Sequence, residues 1–226
     1  MNLKQLAANR ALEAVQNGMV IGLGTGSTTA FFTDLLGESL KSGKLAEIQV
    51  VPTSQDTERR ATNWGIPMTT LFEHPHLALA VDGADEVDPQ LNMIKGLGKA
   101  ALREKIVESH TDHFIVIVDE SKLVSQLGRG PLPVEITQYE AKTHIRWLAS
   151  LGCRAELWCD EGGTPFITDN GNYLVRCWFE NGIADAYALD RTLNDQPGVV
   201  GHGLFLGMAE QIIVAGADGI RVIQRP

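Results

Sequence analysis

The sequence predicts an α/β protein: a mostly parallel sheet with helices on both faces, joined to a smaller α+β unit. Two observations carry this. Through the first half, short continuous apolar runs alternate with segments of helical period, the pattern of strands buried on both faces and linked by crossover helices. Past Gly128-Arg129-Gly130-Pro131-Leu132-Pro133 the order changes to strand, helix, strand, strand, helix, strand. The chain has 226 residues. That suits one domain of about 150 residues carrying a smaller one.

The elements follow in order. Leu3, Leu6, Ala7, Leu12 and Val15 form a helical stripe that Asn17-Gly18 ends. Met19–Leu23 is a buried strand. Gly24-Thr25-Gly26-Ser27-Thr28-Thr29 is a turn, with Ser27 the expected N-cap, opening a helix through Phe31, Phe32, Leu35 and Leu36. Ile48–Val51 is the next strand. Thr53-Ser54 offer caps to a helix that runs to Trp64 and stops at Gly65. Strands at Met68–Thr70 and Leu77–Val81 follow, then a helix over Lys99–Glu108 and a strand at Phe114–Val118. The second unit reads as strand Val134–Thr137, helix Tyr139–Leu151, strand Ala155–Cys159, a hairpin around Thr168–Asn172, helix Ala184–Leu193 and strand Val199–Phe205. Ile212–Val214 and Ile220–Ile223 return to the first sheet. The expected domains are 1–127 with 207–226, Rossmann-like, and 128–206, ferredoxin-like.

Composition bounds the function. Lys plus Arg is 19 and Asp plus Glu 28, a net charge of −9. So acidic a chain lacks the basic footprint of a nucleic-acid binder, but a local positive pocket still suits a small anionic substrate. No apolar run reaches the roughly 18 residues of a membrane span, and the first residues carry no secretory leader pattern. Three cysteines without a CxxC suit a reducing, cytoplasmic setting and idle thiols.

Ligands of open α/β sheets bind at the carboxyl ends of the strands. The polar segments 24–29, 82–88 and 119–122 all follow strands and are expected to converge. Gly22–Thr28 permits close backbone approach to a ligand, and the helix start aims N–H groups at an anion. A dinucleotide site fits poorly, because Ser27 replaces the last glycine of G-x-G-x-x-G and the second strand ends in Pro52-Thr53-Ser54 rather than an acid. No Gly-Lys-Ser/Thr occurs, so there is no P-loop. Asp82-Gly83-Ala84-Asp85-Glu86-Val87-Asp88 places four acids in seven residues. It reads as a divalent-metal site, as hydroxyl-binding and acid–base groups for a polyol, or as a solvated loop. Lys95-Gly96-Leu97-Gly98 is a flexible turn bearing a lysine. Glu104, within Arg-Glu-Lys, looks on its own like a helix-surface charge.

Together these segments, with Val118–Lys122, Leu127-Gly128, Pro131–Glu135, Thr168–Asn172 and Pro197–Phe205, resemble the A-type ribose-5-phosphate isomerase family along nearly the whole chain. The resemblance implies interconversion of D-ribose 5-phosphate and D-ribulose 5-phosphate through an enediolate, in the non-oxidative branch of the pentose phosphate pathway, without metal or cofactor. It implies Glu104 as the proton-shuttling base, Asp82 and Asp85 as substrate-handling carboxylates and Lys95 as the essential lysine. It places substrate binding at Thr25, Gly26, Ser27 and Thr28, at Asp82, Gly83, Ala84 and Asp85, at Lys95, Gly96, Leu97 and Gly98, and at Lys122 and Lys4. It implies a homodimer or larger homo-oligomer, with no nucleic-acid or membrane partner. Two departures stand out: Leu97 where the family has glycine, and Arg176 where it has an acid. The alternatives are a non-catalytic sugar-phosphate sensor on the same scaffold and a nicotinamide-dependent oxidoreductase.

Overall fold

The structure is a computed structural model and describes residues 2–225; Met1 and Pro226 of the expected first domain lie outside the described residues. In chain order the elements are α1 (Leu3–Leu12), β1 (Val20–Leu23), α2 (Ser27–Lys41), β2 (Gln49–Pro52), α3 (Gln55–Trp64), β3 (Leu79–Asp82), β4 (Glu86–Val87), β5 (Met93–Ile94), α4 (Ala101–Glu108), β6 (Phe114–Asp119), β7 (Leu132–Ile136), α5 (Ala141–Ser150), β8 (Arg154–Leu157), β9 (Tyr173–Trp178), α6 (Ala186–Asn194), β10 (Val199–His202), β11 (Leu204–Phe205), β12 (Gln211–Gly216) and β13 (Gly219–Gln224).

The chain divides into two units. The first holds residues 1–84, 103–122 and 207–226. Its sheet has the order β13-β12-β6-β3-β1-β2, parallel throughout except for β13, which returns antiparallel to β12. One sheet face packs Ile21, Leu23, Val81, Ile115 and Ile117 with apolar residues of α1, α2 and α3. On the other face lies α4: a Cβ built on Gly22 would come within 2.9 Å of Val107 Cγ1 and 3.0 Å of Ala80 Cβ, so small residues there let the helix approach. Period-2 alternation along the strands thus sorts side chains to two helix-covered faces. Ser54 caps α3 through the Thr57 amide and Gly65 ends it at φ 69°, as the sequence predicts.

The second unit holds residues 85–102 and 123–206. Its four-stranded sheet, order β10-β7-β9-β8, is antiparallel. Leu148 of α5 and Leu193 of α6 join Val134, Ile136, Val175 and Cys177 in one core, and the element order is the expected β-α-β-β-α-β. A further sheet, β11-β5-β4, lies in this unit.

Several details depart from the sequence reading. Segments 85–102 and 123–127, expected in the first domain, group with the second unit: β5 pairs with β4 and with β11, and Leu123 bridges to Val87 of β4. The expected strand Val199–Phe205 splits at Gly203 into β10 and β11, which serve different sheets. Met68–Thr70 forms only a single bridge, Met68 to Val50. The N-cap of α2 is Gly26 rather than Ser27, since the chain enters the helix at φ 126°, where a side chain is strained.

Candidate active site

In the first unit the polar turns gather at the carboxyl edge of the parallel sheet. Leu23 is level with Val81 and Asp82 with Val116, so the chain leaves β1, β3 and β6 side by side. The turn after β1 passes so close to Asp82 that a Cβ on Gly24 would sit 2.0 Å from the Asp82 carboxyl carbon. Only glycine fits there. Asp82 is 1% exposed. Its Oδ1 accepts the Thr25 amide at 3.1 Å, the Thr29 hydroxyl at 2.9 Å and the Gly83 amide at 2.6 Å. Thr29 and the hydroxyls of Thr53, Ser54 and Thr57, which surround Thr25, carry part of this architecture; the sequence reading gave Thr53 and Ser54 only a capping role and missed the others. Their signal was a hydroxyl-rich strand end, Thr53-Ser54, with a third hydroxyl one helical turn on.

Basic residues collect beside the start of α2. Lys4 Nζ donates to Ser27 Oγ at 2.7 Å, so the N-terminal helix delivers its lysine to the turn. Ser27 and Gly26 are exposed and Thr28 and Lys122 half-buried. Partial burial pushes the Asp119 carboxyl up, but hydrogen bonds from the Ser121 hydroxyl and amide, with the charges of Lys122 and Lys4, outweigh it and hold Asp119 below the ordinary carboxylate value. On a chain of net charge −9, this is a local concentration of cations and helix-start N–H groups, the chemistry of a phosphate site.

Glu104 is 2% exposed. The surface-charge reading of it is therefore overturned: Ala101, Glu104, Val107 and Glu108 form the buried stripe of α4, at helical spacing, while Ile106 faces outward.

In the second unit, Lys95 is 2% exposed. Its amide donates to the Gly203 carbonyl at 2.9 Å and its ammonium lies 5.2 Å from the centre of the Phe205 ring. A Cβ on Gly203 would fall 2.1 Å from the Lys95 carbonyl oxygen, so glycine is required where β10 passes into β11. Asp85 Oδ2 accepts the Leu97 amide at 2.9 Å. Leu97 itself needs no glycine: the left-handed conformations in this turn belong to Gly96 at φ 104° and Lys99 at φ 68°. Gly98 sits between them. Arg176, the other departure, stacks 5.3 Å from the Trp158 ring centre and lies 3.8 Å from Glu156.

The acidic run 82–88 is thus resolved residue by residue. Asp82 is held by the turn after β1. Asp85 accepts from Leu97. Glu86 accepts the amides of Gly128, Arg129 and Gly130. Asp88 accepts those of Gln90 and Asn92 at 2.8 and 2.9 Å. Each carboxylate pins backbone N–H groups, and among the described residues no group of three or more His, Cys, Asp or Glu is placed to hold a metal ion. Residues 82–84 belong to the first unit and 85–88 to the second.

A glutamate buried on α4 and an aspartate fixed at a strand end, both in the first unit, are groups suited to an α/β enzyme of acid–base chemistry. Comparison with known proteins gives the particular family. The family model for ribose 5-phosphate isomerase A (phosphoriboisomerase A) matches residues 49–219. A ribose-5-phosphate isomerase A of Roseiflexus castenholzii is 50% identical over 224 residues, covering 99% of this chain and 95% of the relative. A probable chloroplastic ribose-5-phosphate isomerase of Arabidopsis thaliana is 46% identical, covering 99% and 83%. A solved D-ribose-5-phosphate isomerase in complex with phospho-erythronic acid superposes at TM-score 0.96 with 43% identity over 100% of both chains. The enzyme of Plasmodium falciparum superposes at 0.95 with 39% identity over 98% and 97%. The chain belongs to the ribose 5-phosphate isomerase A family.

Proposed function

We propose that this protein interconverts D-ribose 5-phosphate and D-ribulose 5-phosphate through an enediolate, with Glu104 carrying the proton between C1 and C2. The observation that carries the reading is the burial of Glu104 on α4 in a chain of this family. Moving a carbonyl between neighbouring carbons needs one base that serves both, and a carboxylate suffices. Lys95 supplies the charge that stabilises the enediolate oxygen. Asp82 takes and returns the proton when the sugar ring opens, and Asp85 holds hydroxyls. Gly83, Ala84, Gly96, Leu97 and Gly98 offer backbone to the sugar. Within the turn Thr25–Thr28, the helix start at Gly26, Ser27 and Thr28, with Lys4 and Lys122, takes the phosphate, and that anchoring is used to orient the reacting carbons.

The same reading makes the reaction metal-independent, since proton transfer and oxyanion stabilisation are both met by side chains. It places the enzyme in the cytoplasm as a homodimer or larger homo-oligomer. Light scattering of the purified protein tests the assembly; a monomer at micromolar concentration contradicts it. No helix among the described residues is long and apolar enough to cross a membrane.

The direct test is conversion of ribose 5-phosphate, followed by NMR, before and after exhaustive chelation. Turnover in both samples is expected. Binding without turnover would favour the sugar-phosphate sensor, and loss on chelation with recovery on added Mg²⁺ would favour a metal mechanism.

A further inference from the structure

Thr25 lies in the turn read as a substrate loop, yet both of its hydrogen-bond donors are used inside the first unit. Its amide donates to Asp82 Oδ1 at 3.1 Å. Its hydroxyl oxygen lies 2.7 Å from Thr53 Oγ1, 2.8 Å from Ser54 Oγ and 3.0 Å from Thr57 Oγ1. A hydroxyl has one proton, and that of Thr25 goes to Ser54 Oγ, while those of Thr53 and Thr57 go to backbone carbonyls. A phosphate oxygen, which accepts, would have to displace the bond to Ser54.

The partners are poorly placed to yield. Thr53, Ser54 and Thr57 are all buried. The Thr53 hydroxyl donates to the Leu23 carbonyl at 3.2 Å, and that of Thr57 to the Gly24 carbonyl at 2.9 Å. Ser54 Oγ accepts the Thr57 amide at 3.0 Å as the cap of α3. The cluster therefore ties both ends of the Leu23–Thr25 step to the entry of α3. What it positions is the Thr25 amide, one of three donors on Asp82 Oδ1.

We propose that Thr25 is a positioning residue for Asp82 rather than a substrate contact: the buried hydroxyls of Thr53, Ser54 and Thr57 fix its side chain, and its amide fixes the carboxylate. This rests on the reading of Asp82 as a sugar-handling group. It divides the turn, with Thr25 committed inward and Ser27 and Thr28 left for the phosphate. A carboxylate oriented before substrate arrives needs no reorganisation during the reaction.

The test compares Thr25→Val, Thr25→Ser, Thr57→Val and Asp82→Asn in steady-state kinetics on ribose 5-phosphate, with inorganic phosphate as competing anion. Thr25→Val is expected to lower kcat about tenfold or more, the scale of one lost hydrogen bond in a charged network. KM and the phosphate inhibition constant should stay within about twofold, since no ligand contact is lost. Thr25→Ser should restore most of kcat. The double variant Thr25→Val/Thr57→Val should be no slower than the slower single, because both act through one carboxylate. If Thr25→Val does not fold, as a thermal melt would report, Thr57→Val alone must show the same fall in kcat at constant KM. A rise in KM or in the phosphate constant would overturn the proposal, and so would unchanged kinetics. Asp82→Asn separates the two levels: if it turns over like the unmodified enzyme, the reading of Asp82 falls. If Asp82→Asn is inactive while Thr25→Val is normal, only the role of Thr25 falls.

Discussion

The two units hold their functional groups by different means. In the first, Asp82 sits at the end of a parallel strand, and its donors come from the next turn and the first turn of a helix. Strand ends and helix starts are generic to the architecture, so any sequence with this alternation brings them together. In the second, Lys95 hangs on a two-residue strand, β5, whose partner β11 comes from a hundred residues further on. Its amide donates to a glycine carbonyl, that of Gly203, and its ammonium lies against the Phe205 ring. The carboxylate is thus fixed by local chain geometry, the lysine by long-range pairing that a single added side chain would block.

Substitutions break this contrast in order of size. Glu104→Gln should reduce turnover by about a thousandfold or more, as loss of the base at C1 and C2 does, while binding of ribose 5-phosphate survives. Retention of turnover within about tenfold means the base is misassigned. Gly24→Ala comes next. Its methyl collides with the Asp82 carboxyl carbon, and we expect a loss of about a hundredfold in kcat, with a smaller change in the melting temperature because the atoms it meets are side chain and not backbone. Gly203→Ala is the counterpart in the second unit. Its methyl meets backbone, the Lys95 carbonyl, so β11 must separate from β5. Both activity and thermal stability should fall, by about 2 kcal/mol for the latter. If the two glycine variants behave alike in calorimetry, the distinction between local and long-range support is wrong.

The smallest effect lies away from both groups. Asp34 of α2 accepts from Arg60 at 2.9 Å and from Trp64 Nε1 at 2.8 Å, both on α3. Partial burial raises its pKa, but the Arg60 and Trp64 hydrogen bonds and the Arg60 charge bring it below the ordinary 3.8. A depressed carboxyl stabilises the fold above its unfolded value, and that stability is lost as pH falls through the folded value. Asp34→Asn should therefore cost about 0.5–1 kcal/mol at pH 7, discounted for exposure of the pair. The difference from the unmodified protein should shrink below pH 4 in urea titrations. Equal destabilisation at pH 7 and pH 3 would show that packing, not charge, joins the two helices.

What was legible in the sequence follows the same division. The turn Gly24–Thr28, the strand end at Asp82 and the cap at Ser54 were readable because each obeys a local rule of period or capping. The paired two-residue strands were not: β4 and β5 are too short to show a period, and only their pairing with each other, and of β5 with β11, defines them. Gly203 gave a faint sign, as an isolated glycine in an apparent strand marks a close backbone approach. Glu104 was misleading by itself, since its neighbours Arg103 and Lys105 are charged; only the stripe of Ala101 and Val107 on its face betrays burial. The acidic run 82–88 looked like one feature because it is contiguous, although its carboxylates serve four different sets of backbone amides.

The claim on which the account turns is that Glu104 moves a sugar proton. The most direct measurement runs the reaction in D₂O and follows deuterium entering C1 of ribulose 5-phosphate by NMR, with the unmodified protein and Glu104→Gln side by side. We expect steady incorporation in the first and none above background in the second, with ribose 5-phosphate bound by both. Deuterium entering at comparable rates in the two samples would contradict it.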